Sequence, residues 1–279
     1  MAKLVGGIGT SHVPSIGRAV DLGNQQTEAW KPLFDGFVPV REWLHRVQPD
    51  VAIIVYNDHG TDFFLDKLPT FAIGAAQQYE IGDEGFGKRP LPPIPGDPEF
   101  SQHLCESLIY HEFDMTVCQE LAVDHGCLVP LNLCWDHHEG WPIKIVPVVV
   151  NVLQHPLPTA MRCYKLGHAL RQAVDSFPQD RRVVVFGTGG LSHQLHGERF
   201  GFLNADWDQQ WLRDIVSNPE KLAGITHQTM IEQGGAESVE MIMWLAMRGA
   251  LGEEVRLIHK NYYAPMTTGM GLVALEDAR

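Results

Sequence analysis

The sequence is short of cysteine pairs, of basic residues and of long apolar runs, and each shortage removes a class of protein. Its five cysteines, Cys105, Cys118, Cys127, Cys134 and Cys163, are odd in number and never spaced as CxxC. Neither a disulfide framework nor a thiolate zinc site follows from that spacing, and buried free thiols are expected. Lysine and arginine number 21 against 34 acidic residues, a formal charge of -13. Such a surface repels phosphate backbones and anionic lipid, so no nucleic-acid partner is expected. No basic segment leading into an apolar core opens the chain, and no apolar run approaches the roughly 20 residues needed to span a bilayer. A cytoplasmic protein with no membrane partner is the expectation.

What the chain does contain is a recurring pattern of short β-branched runs between amphipathic stretches. Strands are expected in KLVGGIG from Lys3, DVAIIVYN from Asp50, TFAIGAA from Thr70, IKIVPVVVN from Ile143, RVVVFGTG from Arg182 and VRLIHKNYY from Val255. The segment GLVALE near the C-terminus is strand-like as well. Helices are expected over Gln25 to Val47, Met161 to Ser176, Asp206 to Val216 and Ala236 to Ala250, and a long surface loop over Gly82 to Gly96. Strands alternating with helices in runs apolar on both faces indicate a sheet covered on both sides. With no repeat and no linker, residues 1–279 read as one three-layer α/β/α domain with a mixed central sheet.

Fourteen histidines are the unusual feature of composition, and three of them end apolar runs: His12 in GTSHVP, His59 in NDHG and His193 in GTGGLSH. Ligands of open α/β sheets collect at the carboxyl ends of strands, so these three are candidates for one site. Glu240 lies in GGAESVEMIMWLAMRGAL, followed by Met, Ile, Met, Trp and Leu. A carboxylate there is costly to ionise unless it is paired or bound to a cation. Glu237, close behind Gly234 and Gly235, reads instead as a first-turn residue of the helix. Two histidines and a carboxylate form the facial triad preferred by non-haem Fe(II), and zinc with an activated water is served equally well by that spacing. His196 reads as a group outside the ligand set. His137 and His138 in CWDHHEGW, taken as strand neighbours, point to opposite faces and make no metal doublet. Thr267 and Thr268 in YYAPMTTGMG offer hydroxyls and N–H groups to a substrate carboxylate.

Together, GTSHVP, NDHG, GTGGLSH and GGAESVEMIMWLAMRGAL resemble, in order and over essentially the whole chain, the class III extradiol ring-cleaving dioxygenases. The resemblance is closest to the catalytic β chains of the protocatechuate 4,5-cleaving members. It implies Fe(II) bound by His12, His59 and Glu240, an acid/base role for His193, and a further active-site histidine at His125 in AVDHGCLVP. The implied reaction inserts O2 into protocatechuate to give 4-carboxy-2-hydroxymuconate semialdehyde. Gallate or another catechol is the alternative substrate, and a zinc-dependent hydrolase using the same three ligands is the alternative of another class. A histidine beside the metal but not bound to it suits deprotonation of a catechol, since the imidazole pKa is ordinarily about 6.5. The resemblance also implies a small helical α subunit covering the active-site mouth in an (αβ)2 heterotetramer. The chain stops at Arg279, shortly after GLVALE, so a separate lid-forming chain is expected.

Overall fold

The computed structural model describes residues 1–278. Its strands are β1 (Lys3–Thr10), β2 (Val51–Tyr56), β3 (Phe71–Gly74), β4 (Gln78–Ile81), β5 (Ile94–Pro95), β6 (Thr116–Cys118), β7 (Ala122–Val123), β8 (Lys144–Val150), β9 (Arg182–Thr188), β10 (Val255–Tyr263) and β11 (Met270–Asp277). The helices are α1 (Pro14–Asp21), α2 (Lys31–Gly36), α3 (Val38–Val47), α4 (Pro98–Tyr110), α5 (His125–Cys134), α6 (Ala160–Ser176), α7 (Ala205–Ser217), α8 (Pro219–Ala223), α9 (His227–Gly234) and α10 (Ile242–Ala250). A 3-10 turn over Ala236–Met241 leads into α10.

Eight strands form the main sheet in the order β10-β11-β1-β9-β2-β8-β3-β6. The four central strands β1, β9, β2 and β8 run parallel, while β11 joins β1, β10 joins β11 and β3 joins β8 antiparallel. The sheet is therefore mixed. Alternation along β2 sends Ile53 and Val55 to one core and Ala52, Ile54 and Tyr56 to the other. The first core is closed by α4, α6, α7 and α10, and the second by α1, α2, α3 and α5. The three-layer α/β arrangement read from the pattern is the one observed.

Gln25 to Val47 is not one helix. It is a turn followed by α2 and α3, each with a proline in its first turn, Pro32 and Pro39. Proline has no N–H to give and clashes with the preceding turn, so it starts helices and does not continue them. Ala236 to Ala250 also divides, because its first six residues wind as the 3-10 turn. There the Ser238 hydroxyl donates to the carbonyls of Gly235 and Met230. The 82–96 loop is irregular apart from β5, as expected. A second, three-stranded sheet of order β5-β4-β7 had no counterpart in the sequence reading. Among the described residues no helix is long and apolar enough to cross a membrane, and all five cysteines are free and buried.

Candidate active site

Because β1, β9 and β2 are parallel neighbours, their carboxyl ends open on the same edge of the sheet. His12 follows β1, His193 follows β9 and His59 follows β2, so the three sequence candidates meet above that edge. Glu240 reaches them from the 3-10 turn before α10. Gly189 makes this approach possible: its φ is +136°, and a Cβ there would lie 2.7 Å from the Cβ of Glu240. The Gly190 N–H then donates to Glu240 Oε2 at 2.8 Å.

Each imidazole is held from behind through Nδ1. His12 Nδ1 is 2.9 Å from the Thr188 hydroxyl, and His193 Nδ1 is 2.8 Å from the Leu191 carbonyl. His59 Nδ1 is 3.0 Å from Asp124 Oδ2, and His125 Nδ1 contacts Glu84 Oε2. The opposite nitrogens face inward: Nε2 of His12 lies 3.3 Å and Nε2 of His193 3.7 Å from Glu240 Oε2, and Nε2 of His59 lies 3.7 Å from Oε1. An oxygen acceptor behind one ring nitrogen is the usual support of a metal-bound histidine, since it fixes the tautomer and the ring plane. Apart from its approach to Glu240, His12 Nε2 is buried without a hydrogen-bond partner among the described residues, which is expensive unless something not in the polypeptide completes it.

The electrostatics have the same focus. Burial favours a neutral His12 and lowers its pKa, with Glu240 opposing. Burial acts the same way on His59, but Asp124 and Glu240 outweigh it and hold the pKa up to about 10. Asp124 is held down to about 2 against its own burial by His59. Glu240 stays well below the usual carboxylate range although buried, because His12, His59 and His193 surround it. The cavity thus keeps an ionised carboxylate and draws positive charge towards it.

His125, expected only from the resemblance, lies in the same group, its ring centroid 3.8 Å from that of His59. One nitrogen each of His12, His59 and His125 falls within a common 4.8 Å, so two donor sets, with Glu240 or with His125, share the first two histidines. Glu84, Asp124 and His125 form another close group, but both Asp124 oxygens already accept, from His59 and from Gly126. His12, His59, His125, His193 and Glu240 open onto a cavity of about 590 Å³ with Val13, Val152, Leu153 and Val239 as apolar wall. Thr267 and Thr268 line it too, and Thr268 pairs with His193 in an isolated antiparallel bridge.

Glu237 sits in the first turn after Gly235, accepts from the Leu195 N–H and pairs with His196 at 2.7 Å on the rim. His137 and His138 lie outside this cavity, but in a turn and not a strand, with rings stacked 5.6 Å apart. Asp124 and Glu84 were not anticipated. The signal for Asp124 was present, since VDHG at 123–126 repeats the Asp-His-Gly of NDHG at 57–60. In the first copy Asp58 accepts four backbone N–H groups, from Gly60, Thr61, Asp62 and Phe63. In the second, Asp124 caps α5 and holds His59.

Two inward imidazoles and an ionised carboxylate, each fixed from behind at the mouth of a parallel sheet, define a candidate metal centre of the two-histidine, one-carboxylate class. The chain belongs to the family described as the catalytic LigB subunit of aromatic ring-opening dioxygenase, which it matches over residues 6–274. It is 45% identical over 197 residues to a gallate dioxygenase of Pseudomonas putida KT2440, a match covering 71% of this chain and 58% of that protein. The chain therefore spans about 58% of that relative's length. It is 27% identical over 317 residues to a 2,3-dihydroxyphenylpropionate/2,3-dihydroxicinnamic acid 1,2-dioxygenase of Photorhabdus laumondii, covering 97% of this chain and 96% of that one. A protein of the same description from Burkholderia vietnamiensis is 32% identical over 255 residues, covering 76% and 78%. In fold, the chain resembles an uncharacterized protein of Escherichia coli K12 with TM-score 0.58 at 14% identity, over 98% of this chain and 99% of the other.

Proposed function

We propose that this chain is the catalytic subunit of an Fe(II)-dependent extradiol dioxygenase that opens the ring of a carboxylated catechol. The observation that carries the reading is the convergence of Nε2 of His12 and His59 on Glu240 beside a third histidine, His193. Gallate is the first substrate of this proposal and protocatechuate the second. The motifs alone favoured protocatechuate, but the relative at 45% identity is a gallate dioxygenase.

The donors fit an iron ion. Among the described residues the buried Nε2 of His12 has no partner beyond its approach to Glu240, and Glu240 stays ionised in an apolar segment. In this reading His12, His59 and Glu240 hold the metal, and the third close histidine, His125, serves the substrate. Fe(II), when bound, supplies a Lewis-acidic, redox-active centre with positions free for a chelating catechol and for O2. His193 keeps its hydrogen on Nδ1 against the Leu191 carbonyl, so its Nε2 takes a proton from a ring hydroxyl and later returns it. The Thr267 and Thr268 hydroxyls donate to the substrate carboxylate, from the connection between β10 and β11 where the isolated bridge sets Thr268 beside His193. Val13, Val152 and Val239 exclude water from the ring face.

A small helical α chain covering the mouth in an (αβ)2 assembly belongs to the same proposal. It is supported by the exposed apolar rim, where Leu153, Leu195 and Met266 are each 42–51% accessible. The deciding experiment is oxygen uptake by anaerobically iron-loaded protein with gallate, protocatechuate and unsubstituted catechol compared side by side. Ring cleavage of a carboxylated catechol is expected, and exchange of Fe(II) for Zn(II) should abolish it. Activity retained with Zn(II) would favour a hydrolase on the same ligands.

A further inference from the structure

We propose that Glu84 is a positioning residue that makes His125 a hydrogen-bond acceptor for a ring hydroxyl of the substrate. The inference takes the identity of the substrate from the dioxygenase reading, and takes the state of the imidazole from geometry alone. Glu84 lies in the loop that the sequence marks only as Gly- and Pro-rich surface. The loop leaves β4, and β4 pairs in parallel with β7, Ile81 beside Val123. The Gly82 N–H continues that ladder by donating to the Val123 carbonyl at 2.9 Å. Two segments thus leave the ribbon side by side, one carrying Asp124 and His125 and the other carrying Glu84. Gly82 has no room for a side chain, since a Cβ would lie 2.1 Å from the Thr61 methyl. Beyond Glu84 the turn is tied by Asp83 Oδ1, which accepts from Gly85 and Gly87 at 2.9 Å each. The placement of Glu84 is therefore built in from both sides.

Its carboxylate accepts twice from one residue, from the His125 backbone N–H at 3.0 Å and from the ring at Nδ1. A carboxylate facing Nδ1 keeps the hydrogen on that atom and leaves the lone pair of a neutral ring on Nε2. His125 lines the cavity, and among the described residues its Nε2 has no protein partner. An acceptor at that wall is satisfied by a hydroxyl and left unpaired by a C–H. A buried polar group left unpaired is what lets a site reject an analogue lacking the matching hydroxyl. Asp124 behind His59 and Glu84 behind His125 are thus a matched pair of supports, one turned to the metal site and one to the substrate.

The test compares wild type with Glu84→Ala and Glu84→Gln. Side-chain 15N shifts of 15N-histidine-labelled, Zn(II)-loaded protein report which nitrogen of His125 carries the hydrogen, and kcat/KM with gallate is measured on the Fe(II)-loaded forms at equal iron content. Glu84→Ala is expected to move the hydrogen off Nδ1 and to lower kcat/KM roughly 10- to 100-fold, on the scale of the loss when the support behind a metal-bound histidine is removed. Glu84→Gln can keep only one of the two contacts, so its activity should follow its tautomer: within about threefold of wild type if Nδ1 keeps the hydrogen, and as low as the alanine variant if not. An alanine variant with the wild-type tautomer or wild-type kcat/KM overturns the proposal, as does a glutamine variant whose activity and tautomer disagree. Should Glu84→Ala not fold, the glutamine variant decides by the same rule. A wild-type protein that cleaves no catechol defeats the dioxygenase reading instead, and the 15N shifts still judge whether Glu84 sets the ring.

Discussion

Replacing Gly189 by alanine should damage the metal site without touching any donor. At φ +136° an L-residue is strained by about 1–3 kcal/mol. The new methyl would also meet Glu240 Cβ at 2.7 Å, its carbonyl oxygen at 2.9 Å and its carbonyl carbon at 3.0 Å. Carbon atoms ordinarily rest about 3.5–4.0 Å apart, so the loop and the 3-10 turn must separate by close to an ångström. Overpacking of this kind costs about 1–3 kcal/mol, giving roughly 2–6 kcal/mol in all. A domain stable by about 5–15 kcal/mol survives most of that range. The shift falls on the segment in which Gly190 N–H holds Glu240 Oε2 at 2.8 Å, so the carboxylate leaves its position opposite His12 and His59. A displacement of about 1 Å at a reacting centre costs on the order of 100-fold in rate. Urea unfolding gives the stability change, and metal analysis with oxygen uptake gives the rest. If Gly189→Ala keeps its stability within about 0.5 kcal/mol and its full iron content, the packing argument for this glycine is wrong.

Four further outcomes are expected. His12→Ala, His59→Ala and Glu240→Ala should each lose stoichiometric iron together with activity, and iron near the wild-type level in all three would falsify the triad. His193→Phe should bind iron normally while turnover drops about 10²- to 10⁴-fold; loss of metal in this variant would make His193 a ligand. Partial burial raises the Asp50 carboxyl, but hydrogen bonds and charge from Arg182 outweigh it and hold the pKa below 3.8. A lowered folded-state pKa contributes stability above the unfolded value that is lost as pH falls through the folded one, so Asp50→Asn should melt below wild type at neutral pH and the gap should close in acid; a gap independent of pH refutes this. The chain purified alone should aggregate and turn over poorly beside a complex co-expressed with a helical partner, and a fully active, well-behaved monomer in sedimentation would remove the partner from the proposal.

Much of the framework was legible because a strand buried on both faces must be apolar throughout, so its end is conspicuous. His12, His59 and His193 each stand just past such an end, and Glu240 is conspicuous as a carboxylate in an apolar run. The supports behind them were harder to see. β4 and β7 are four and two residues long, too short for an alternating pattern, yet their pairing delivers Glu84 and Asp124. Nothing local in GDEGFGKRP says that its glutamate meets a histidine 41 positions later. Other signals are local and readable: Pro32 and Pro39 mark two helix starts, and Asp97 before Pro98 is the cap of α4. The proposed choice between gallate and protocatechuate is of another kind, since in that proposal hydroxyl recognition depends on which nitrogen of a ring faces the cavity, and no spacing in the chain encodes that.

The first and last of the proposed ligands, His12 and Glu240, are 228 positions apart, and the cavity wall also needs Thr268, close to the far end. No short peptide of this chain carries a chelate, so the unfolded polypeptide has almost no claim on the ion. Binding then belongs wholly to the finished fold, and by mass action the ion becomes a clamp across its longest loops, worth about 2.7 kcal/mol at a hundredfold excess over Kd. During synthesis His12 waits until Glu240, 228 positions later, has emerged before the proposed ligand set is whole. In the proposed reading the ion therefore joins only after the segment carrying Glu240 has folded, and loosening that segment should release it.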